Sequence, residues 1–326
     1  MRPVTGVGSL ILVAALLIGV GTATSQTPVN IVRDVRVAVA CTEWPCSPKQ
    51  DFSAGEAVLD QYRAAHGTTS EALEALSWLG RAALAGKQLD KANGYAAEVH
   101  ALSRDALKGR SLQQDSRLET ALGAAIEVQA QVRAARGERS AAVYFLQREL
   151  ETYRDTPLHR RIQKNLHLLS LEGQPAPPIE NGDALGRPMP SAAELKGKVV
   201  LLFFWAHWCP DCKAQVPALA NLLNEYRDDG LVIVAPTQRY GYTVRRAPAS
   251  PADEMRHIEQ TRDDSYAFLR NEAVPVSEAN HARYGVSTTP TLVLVDRRGV
   301  VRLYRLGTMT EQELRTAIAP LLQGVK

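Results

Sequence analysis

Two cysteines separated by two residues, Cys209 and Cys212 in FFWAHWCPDCKAQVP (203–217), are the side chains of this chain best placed to do chemistry. A Cys-x-x-Cys pair can close a reactive disulfide, supply half of a zinc site, or form an inert cross-link. The flanking pattern weighs among them. KVVLLFFW (198–205) is a continuous apolar run of strand length, and a helix is expected from the cysteines through Leu222 to Tyr226. The pair therefore stands at a strand-to-helix turn, with Cys209 in the N-cap region and Pro210 at the first helical position, where a missing N–H costs nothing. A sulfur there faces unpaired backbone N–H groups and the positive end of the helix dipole, which favour thiolate. Lowering a thiol pKa from about 8.5 to about 7 raises the thiolate fraction at pH 7 from ~3% to ~50%. Cys209 is the expected nucleophile, and Cys212 is close enough to resolve a mixed disulfide by thiol-disulfide exchange. Zinc would need two more ligands, nominally Cys41 and Cys46 from a remote segment, and no metal is expected. A structural cross-link fits the aromatic flanks and the helix N-terminus less well than a labile bond. His207 and Asp211 are the neighbouring ionisable groups, with a solvated position the plain alternative for both. Asp211, inside the motif, is expected to oppose thiolate, so Asp211→Asn should lower the Cys209 pKa.

The elements around this turn divide the chain. Its 326 residues exceed most single domains, and a formal charge of +3 with interspersed signs argues against nucleic-acid binding. At the N-terminus, Arg2 precedes an uncharged apolar segment from about Val7 to Val20, with small residues at Gly21 and Ala23. That layout predicts an exported protein with a signal peptide over 1–23, and a retained membrane anchor is the alternative. The apolar part falls short of the ~20 residues that span a bilayer, which favours cleavage. Residues 24–54 form an N-terminal segment carrying Cys41 and Cys46, with VRVAVA (35–40) read as a strand.

Residues 55–172 read as an all-α domain of helical hairpins. Leu118, Leu122, Ala125 and Val132, then Val143, Leu146 and Leu150, recur at helical spacing, and Gly67, Gly86, Gly109, Gly137 and Pro157 mark breaks between about five or six helices. ALSWLGRAALAGKQLDKANGYAAEV resembles a tetratricopeptide helix pair, and irregular hairpins are the other reading. Either could present a surface to a protein partner; a spacer is the plain alternative. The Pro-rich GQPAPPIENG, from Gly173, ends the helical pattern. Beyond it, 173–326 alternates strands and helices: LVIVA (231–235), TLVLVD (291–296), VVRLYRL (300–306) and a final helix from Thr310 predict an α/β domain with a central mixed sheet. The segment from Ala235 to Val286 is expected as an insertion between the sheet's halves, with one helix from Met255 to Leu269. His257 and His281 have no metal-ligand spacing and are expected at the surface, while Tyr240, Tyr242, Arg245 and Arg246 either border the active-site face or lie in a solvated loop.

FFWAHWCPDC, with GVSTTPTLVLVD about 80 residues later, resembles the thioredoxin superfamily, and AELKGKVVLLFFWA resembles its exported TlpA/ResA-like branch. The resemblance covers roughly Gly173 to Leu322 and implies a thioredoxin-like fold and a thiol-disulfide oxidoreductase. It implies that Trp208 packs beside the active disulfide, that Trp205 ends the preceding strand, and that Pro217 sits within the first helix. Pro290 corresponds to the family's cis-proline, which would leave the Thr289 backbone free to pair with an extended substrate. It further implies protein thiols and disulfides as substrates, no cofactor, a membrane or exported thiol reductant as electron donor, and a reductant role such as that in cytochrome c maturation. Two departures stand out: Phe203 where thioredoxin has a buried acid, and Gln215 where the ResA-like branch commonly has Glu.

Cys41 and Cys46, in CTEWPCSP, are expected to close a local structural disulfide, or else to relay electrons to Cys209 and Cys212. The competing class is a non-catalytic scaffold that binds proteins through its helices and a thioredoxin-like docking domain. A peroxidase is disfavoured, because Ala206 stands where a peroxidatic site would have Thr.

Overall fold

The computed structural model describes residues 30–43 and 46–323, together with Met1. The export segment expected over 1–23 lies, beyond Met1, outside the described residues. Among the described residues no helix is long and apolar enough to cross a membrane. From Ile31 onward the chain is one compact unit.

Helices come first: α1 (Ile31–Ala38), α2 (Ser53–His66), α3 (Ser70–Ala85), α4 (Leu89–Ala106), α5 (Ser116–Ala135), α6 (Arg139–Thr152) and α7 (Leu158–Ser170). Gly67, Gly86, Gly137 and Pro157 stand at the breaks, and Gly109 closes a 3-10 turn. Helix α1 corrects the reading of VRVAVA as a strand. Ile31, Val32 and Val35 are buried together, a spacing that only a helix puts on one face, and that face packs on α2 and α3. Tertiary burial thus overrides the β preference of valine. Neighbouring helices pack as antiparallel pairs, α3 on α4 and α5 on α6. Leu118, Leu122, Val132 and Leu146 fill the core between them. Gly123 leaves room for Leu158 and Arg161 of α7, since a Cβ there would lie within 3.0 Å of both.

The second half contains β1 (Asp183–Gly186), α8 (Ala192–Leu195), β2 (Val199–Phe204), α9 (Pro210–Tyr226), β3 (Leu231–Val234), α10 (Pro251–Ser265), β4 (Ala273–Val276), α11 (Glu278–Arg283), β5 (Thr291–Val295), β6 (Val301–Leu306) and α12 (Glu311–Gln323). The strands form one mixed six-stranded sheet in the order β1-β4-β3-β2-β5-β6. Strand β3 runs parallel to β2 and β4, and the other neighbours are antiparallel. The unbroken apolar run of β2 reflects burial on both faces. Val199, Leu201 and Phe203 point into one core with α9, α10 and α12, whereas Val200, Leu202 and Phe204 point into the other, with Tyr284 and Val286. The expected insertion is corrected: it supplies β4 and α11, and its helix starts at Pro251 and ends at Ser265. A four-residue strand containing Pro275 gives no alternating signal, and all four of its residues are buried.

Helix α7 joins the two halves. Both the Tyr304 hydroxyl (2.8 Å) and His167 Nδ1 (3.1 Å) reach the Tyr284 carbonyl oxygen, which can only accept, so His167 carries its proton on Nδ1. Gly285 follows at φ +64°, and a Cβ there would lie 2.4 Å from the Lys164 backbone nitrogen. Only glycine allows the loop and the helix to touch backbone to backbone at that point.

Candidate active site

Strand β2 delivers the chain to the site, and Trp205 anchors its end. Its indole Nε1 donates to the Ala235 carbonyl (3.0 Å), its carbonyl accepts from the Thr237 hydroxyl (2.8 Å), and its ring packs 4.4 Å from that of Tyr266. Trp205 is therefore fully buried, while Trp208 is 47% exposed beside the cysteines. The two aromatic flanks have different jobs, one holding the scaffold and one facing outward.

Helix α9 begins at Pro210, and Cys209 is its N-cap. Cys209 and Cys212 are disulfide-bonded, with Cα atoms 5.3 Å apart. The Cys212 backbone N–H donates to Cys209 Sγ at 3.1 Å, the cap bond a thiolate would accept. The Thr289 carbonyl oxygen lies 3.5 Å from the same sulfur, and the Thr289–Pro290 peptide is cis. Thr289 Oγ1 is buried without a hydrogen-bond partner among the described residues. Pro210 and Asp211 are exposed, Cys209 is 2% exposed, and Cys212 is fully buried. Of the two sulfurs, Cys209 is the one nearer the surface, beside the exposed residues Trp208, Asp211 and Thr288. Pro217 lies inside α9.

Neither departure from the family pattern leaves a gap. Phe203 is fully buried in the core shared with both cysteines. Gln215 is 1% exposed and brackets the backbone of Met309: its Nε2 donates to the Met309 carbonyl (2.9 Å) and its Oε1 accepts from the Met309 N–H (2.7 Å). A carboxylate could make only the second of these bonds.

His207 corrects the solvated reading. It is 3% exposed, with Nε2 3.4 Å from the buried carboxylate of Glu254 and its ring 5.0 Å from that of His257. Burial, then repulsion from His257, holds its pKa below the usual range against the pull of Glu254. Glu254 also accepts from the backbone N–H groups of Tyr240 and Gly241, fixing the loop after β3. Tyr240 packs edge-on against Trp208 and His207, and Tyr242 against His207. The tyrosines border the site, whereas Arg245 and Arg246 sit in an exposed turn. Glu254 gave no sequence signal, because it lies 47 residues from His207 with no motif between them.

His281, expected at the surface, is 1% exposed and lies edge-on to Phe204 at 5.3 Å. His257 is half-buried. Cys41 and Cys46 form a disulfide with Cα atoms 5.0 Å apart, and Cys41 is fully buried in the helical core. Arg36 donates to the Cys41 carbonyl (3.2 Å) while stacking 4.1 Å over Trp78, which clamps this loop to α3. This pair belongs to the helical core and Cys209 and Cys212 to the sheet's. Among the described residues no group of three His, Cys, Asp or Glu side chains could hold a metal ion.

Residues 171–318 match the family model named Redoxin. The thioredoxin-like protein YneN of Bacillus subtilis is 33% identical over 144 residues, covering 44% of this chain and 76% of that protein. The thiol-disulfide oxidoreductase ResA of the same organism is 30% identical over 140 residues, covering 43% and 70%. A solved structure titled as a putative thiol:disulfide interchange protein DsbE from Chlorobium tepidum is 25% identical, covers 46% of this chain and 97% of that chain, and has a TM-score of 0.35. A helix-capping cysteine pair beside a cis-proline, on a mixed sheet, together with the two Bacillus subtilis relatives, places the chain in the thioredoxin superfamily as a ResA-like thiol-disulfide oxidoreductase.

Proposed function

We propose that the protein is exported and reduces disulfides of other exported proteins through Cys209 and Cys212, of the kind that cytochrome c maturation supplies. The cap bond from Cys212 N–H to Cys209 Sγ carries this reading, since it stabilises negative charge on the sulfur that Thr289 flanks. In the reduced protein, the Cys209 thiolate attacks one sulfur of the substrate disulfide; that bond breaks, a mixed disulfide forms, and the other substrate sulfur leaves as a thiolate. Cys212 then gives up its proton and attacks Cys209, closing the internal disulfide and releasing the second substrate thiolate. The substrate gains two electrons, and a membrane or exported thiol reductant restores the protein. Trp208, Pro210 and Asp211 form the exposed rim, and the backbone beside cis-Pro290 receives the substrate chain. The helical region 55–172 recruits the partner, and 173–326 performs the exchange. Cys41–Cys46 is a structural staple, supported by its place in the helical core.

The test is the equilibrium potential of Cys209/Cys212 in glutathione or dithiothreitol buffers, with insulin reduction by wild type, Cys209→Ser and Cys212→Ser. Potentials in this superfamily run from about −270 to about −120 mV, a span of ~7 kcal/mol for two electrons. A value near the low end, activity lost in both variants and a trapped mixed disulfide in Cys212→Ser are expected. A value near the high end reverses the proposed electron flow. No exchange at all leaves a binding scaffold.

A further inference from the structure

A cleft of about 1220 Å³ runs between the helices and the active-site rim. Asp211, from the cysteine motif, and Thr288, two residues before the cis-proline, lie on one side; side chains of α3, α5 and α7 form the other. The two walls differ in charge. Arg81, Arg154, Arg160, Arg161 and Lys164 line the helical wall, against Glu119 and Glu127, while the rim side contributes Asp211 and Glu278. Glu127 is shared: it accepts from Arg161 Nε (3.1 Å) and Nη2 (2.9 Å), and Lys164 Nζ lies 3.4 Å away. Among the described residues no carboxylate lies within ion-pair distance of Arg81, which stacks over Trp78 at 4.7 Å. Burial, then repulsion from Arg161, holds Arg81 down to about 10, and burial lowers Lys164 against the pull of Glu127. His159, on the same wall, is held below its usual range by burial and adds no charge near neutrality.

We propose that this cleft selects the substrate, by taking an extended protein segment that carries Asp or Glu near its cysteine. The inference rests on the exchange reading and adds the chemistry of the partner. The volume exceeds the roughly 300–1,000 Å³ of small-molecule sites, and the cleft opens at the sulfur rim, so a chain docked at Thr289 extends from the rim into it. Arg160 pairs with Glu278 across the cleft (3.2 Å), Arg154 pairs with Glu151, and Arg161 and Lys164 share Glu127, so acidic side chains on that segment would meet Arg81 first and compete for Arg160 and Arg154, while its cysteine stays opposite Cys209. Electrostatic complementarity of this sort sets partner choice and association rate more than the chemical step.

The test compares two short synthetic peptides, each closed by one disulfide, with Asp and Glu flanking the cysteines in one and Asn and Gln in the other. The full chain, reduced beforehand, is mixed with each at low and at high salt, and the rate ratio of acidic to neutral peptide is read. A preference on the order of tenfold at low salt is expected, shrinking at high salt. It should fall toward unity in Arg154→Gln/Arg160→Gln, on the helical wall, and separately in Arg81→Gln. Reading a ratio within each protein removes any general change in reactivity, and two variants guard against one that folds poorly. Equal rates for the two peptides in wild type, or a preference that survives in both variants, would overturn the cleft while leaving exchange intact. Failure to reduce either peptide would instead refute the exchange reading itself.

Discussion

Replacing Glu127 by Gln should expose how the helical wall is held. Burial by itself pushes the Glu127 carboxyl up, but Lys164 and Arg161 outweigh it and hold the carboxyl at about 2, against an ordinary 4.5. At about 1.4 kcal/mol for each pH unit, the gap of about 2.5 between those values makes the folded carboxylate worth roughly 3 kcal/mol. Gln keeps the shape and removes the charge, leaving Arg161 and the buried Lys164 without their partner. Glu127→Gln should therefore lose about 3 kcal/mol near pH 7. With a slope of about 3 kcal/mol per M, the urea midpoint drops by about 1 M. The folded pKa lies below the unfolded one, so this stability is complete above about 4.5 and disappears as pH falls toward about 2. Unfolding followed by circular dichroism across that range should show the two proteins converging as pH falls. A difference under about 1 kcal/mol near pH 7, or one that stays constant between about pH 5 and about pH 3, would refute the assignment of Glu127 as the counter-charge.

Gly285→Ala places a Cβ 2.4 Å from the Lys164 nitrogen at φ +64°; since the obstacle is backbone, a loss of about 3 kcal/mol or more in urea unfolding is expected, and a loss below about 1 kcal/mol would show that α7 can shift. Gln215→Glu forfeits the donor to the Met309 carbonyl, at a cost of about 1–3 kcal/mol. Burial opposite a carbonyl raises the new carboxyl, so the deficit should deepen as pH rises above about 4.5; a deficit independent of pH would contradict that. Burial, then repulsion from Arg160, holds His281 at about 3, so the unfolded chain binds the extra proton below about 6.5 and wild-type stability falls from there toward pH 3. His281→Leu should flatten that limb relative to wild type in the same urea series, and an unchanged slope would place the titration elsewhere.

The cysteine motif was legible because its chemistry is local. A strand-length apolar run, a Pro at the first helical position and two residues between the cysteines place the Cys212 N–H on Cys209 by the geometry of one helical turn. The helix breaks at Gly67, Gly86, Gly137 and Pro157 were visible for the same reason, since each is a property of one residue's backbone. Helix α1 and strand β4 were not, because valines and a four-residue segment with Pro275 take the form that burial against distant elements rewards. His207 and His281 were misplaced for a related reason, as their burial is set by α10 and by the opposite face of the sheet.

The sequence by itself determined that a Cys-x-x-Cys pair sits at a helix N-terminus on an α/β scaffold. Tertiary structure alone decided what surrounds them. Gln215 meets Met309 across 94 residues, Glu127 gathers Arg161 and Lys164 across more than 30, and Asp211 faces a cationic wall supplied by the other half of the chain. Backbone geometry within a turn is written in adjacent residues, whereas desolvation and Coulomb forces depend on which distant side chains the packed chain brings within a few ångströms.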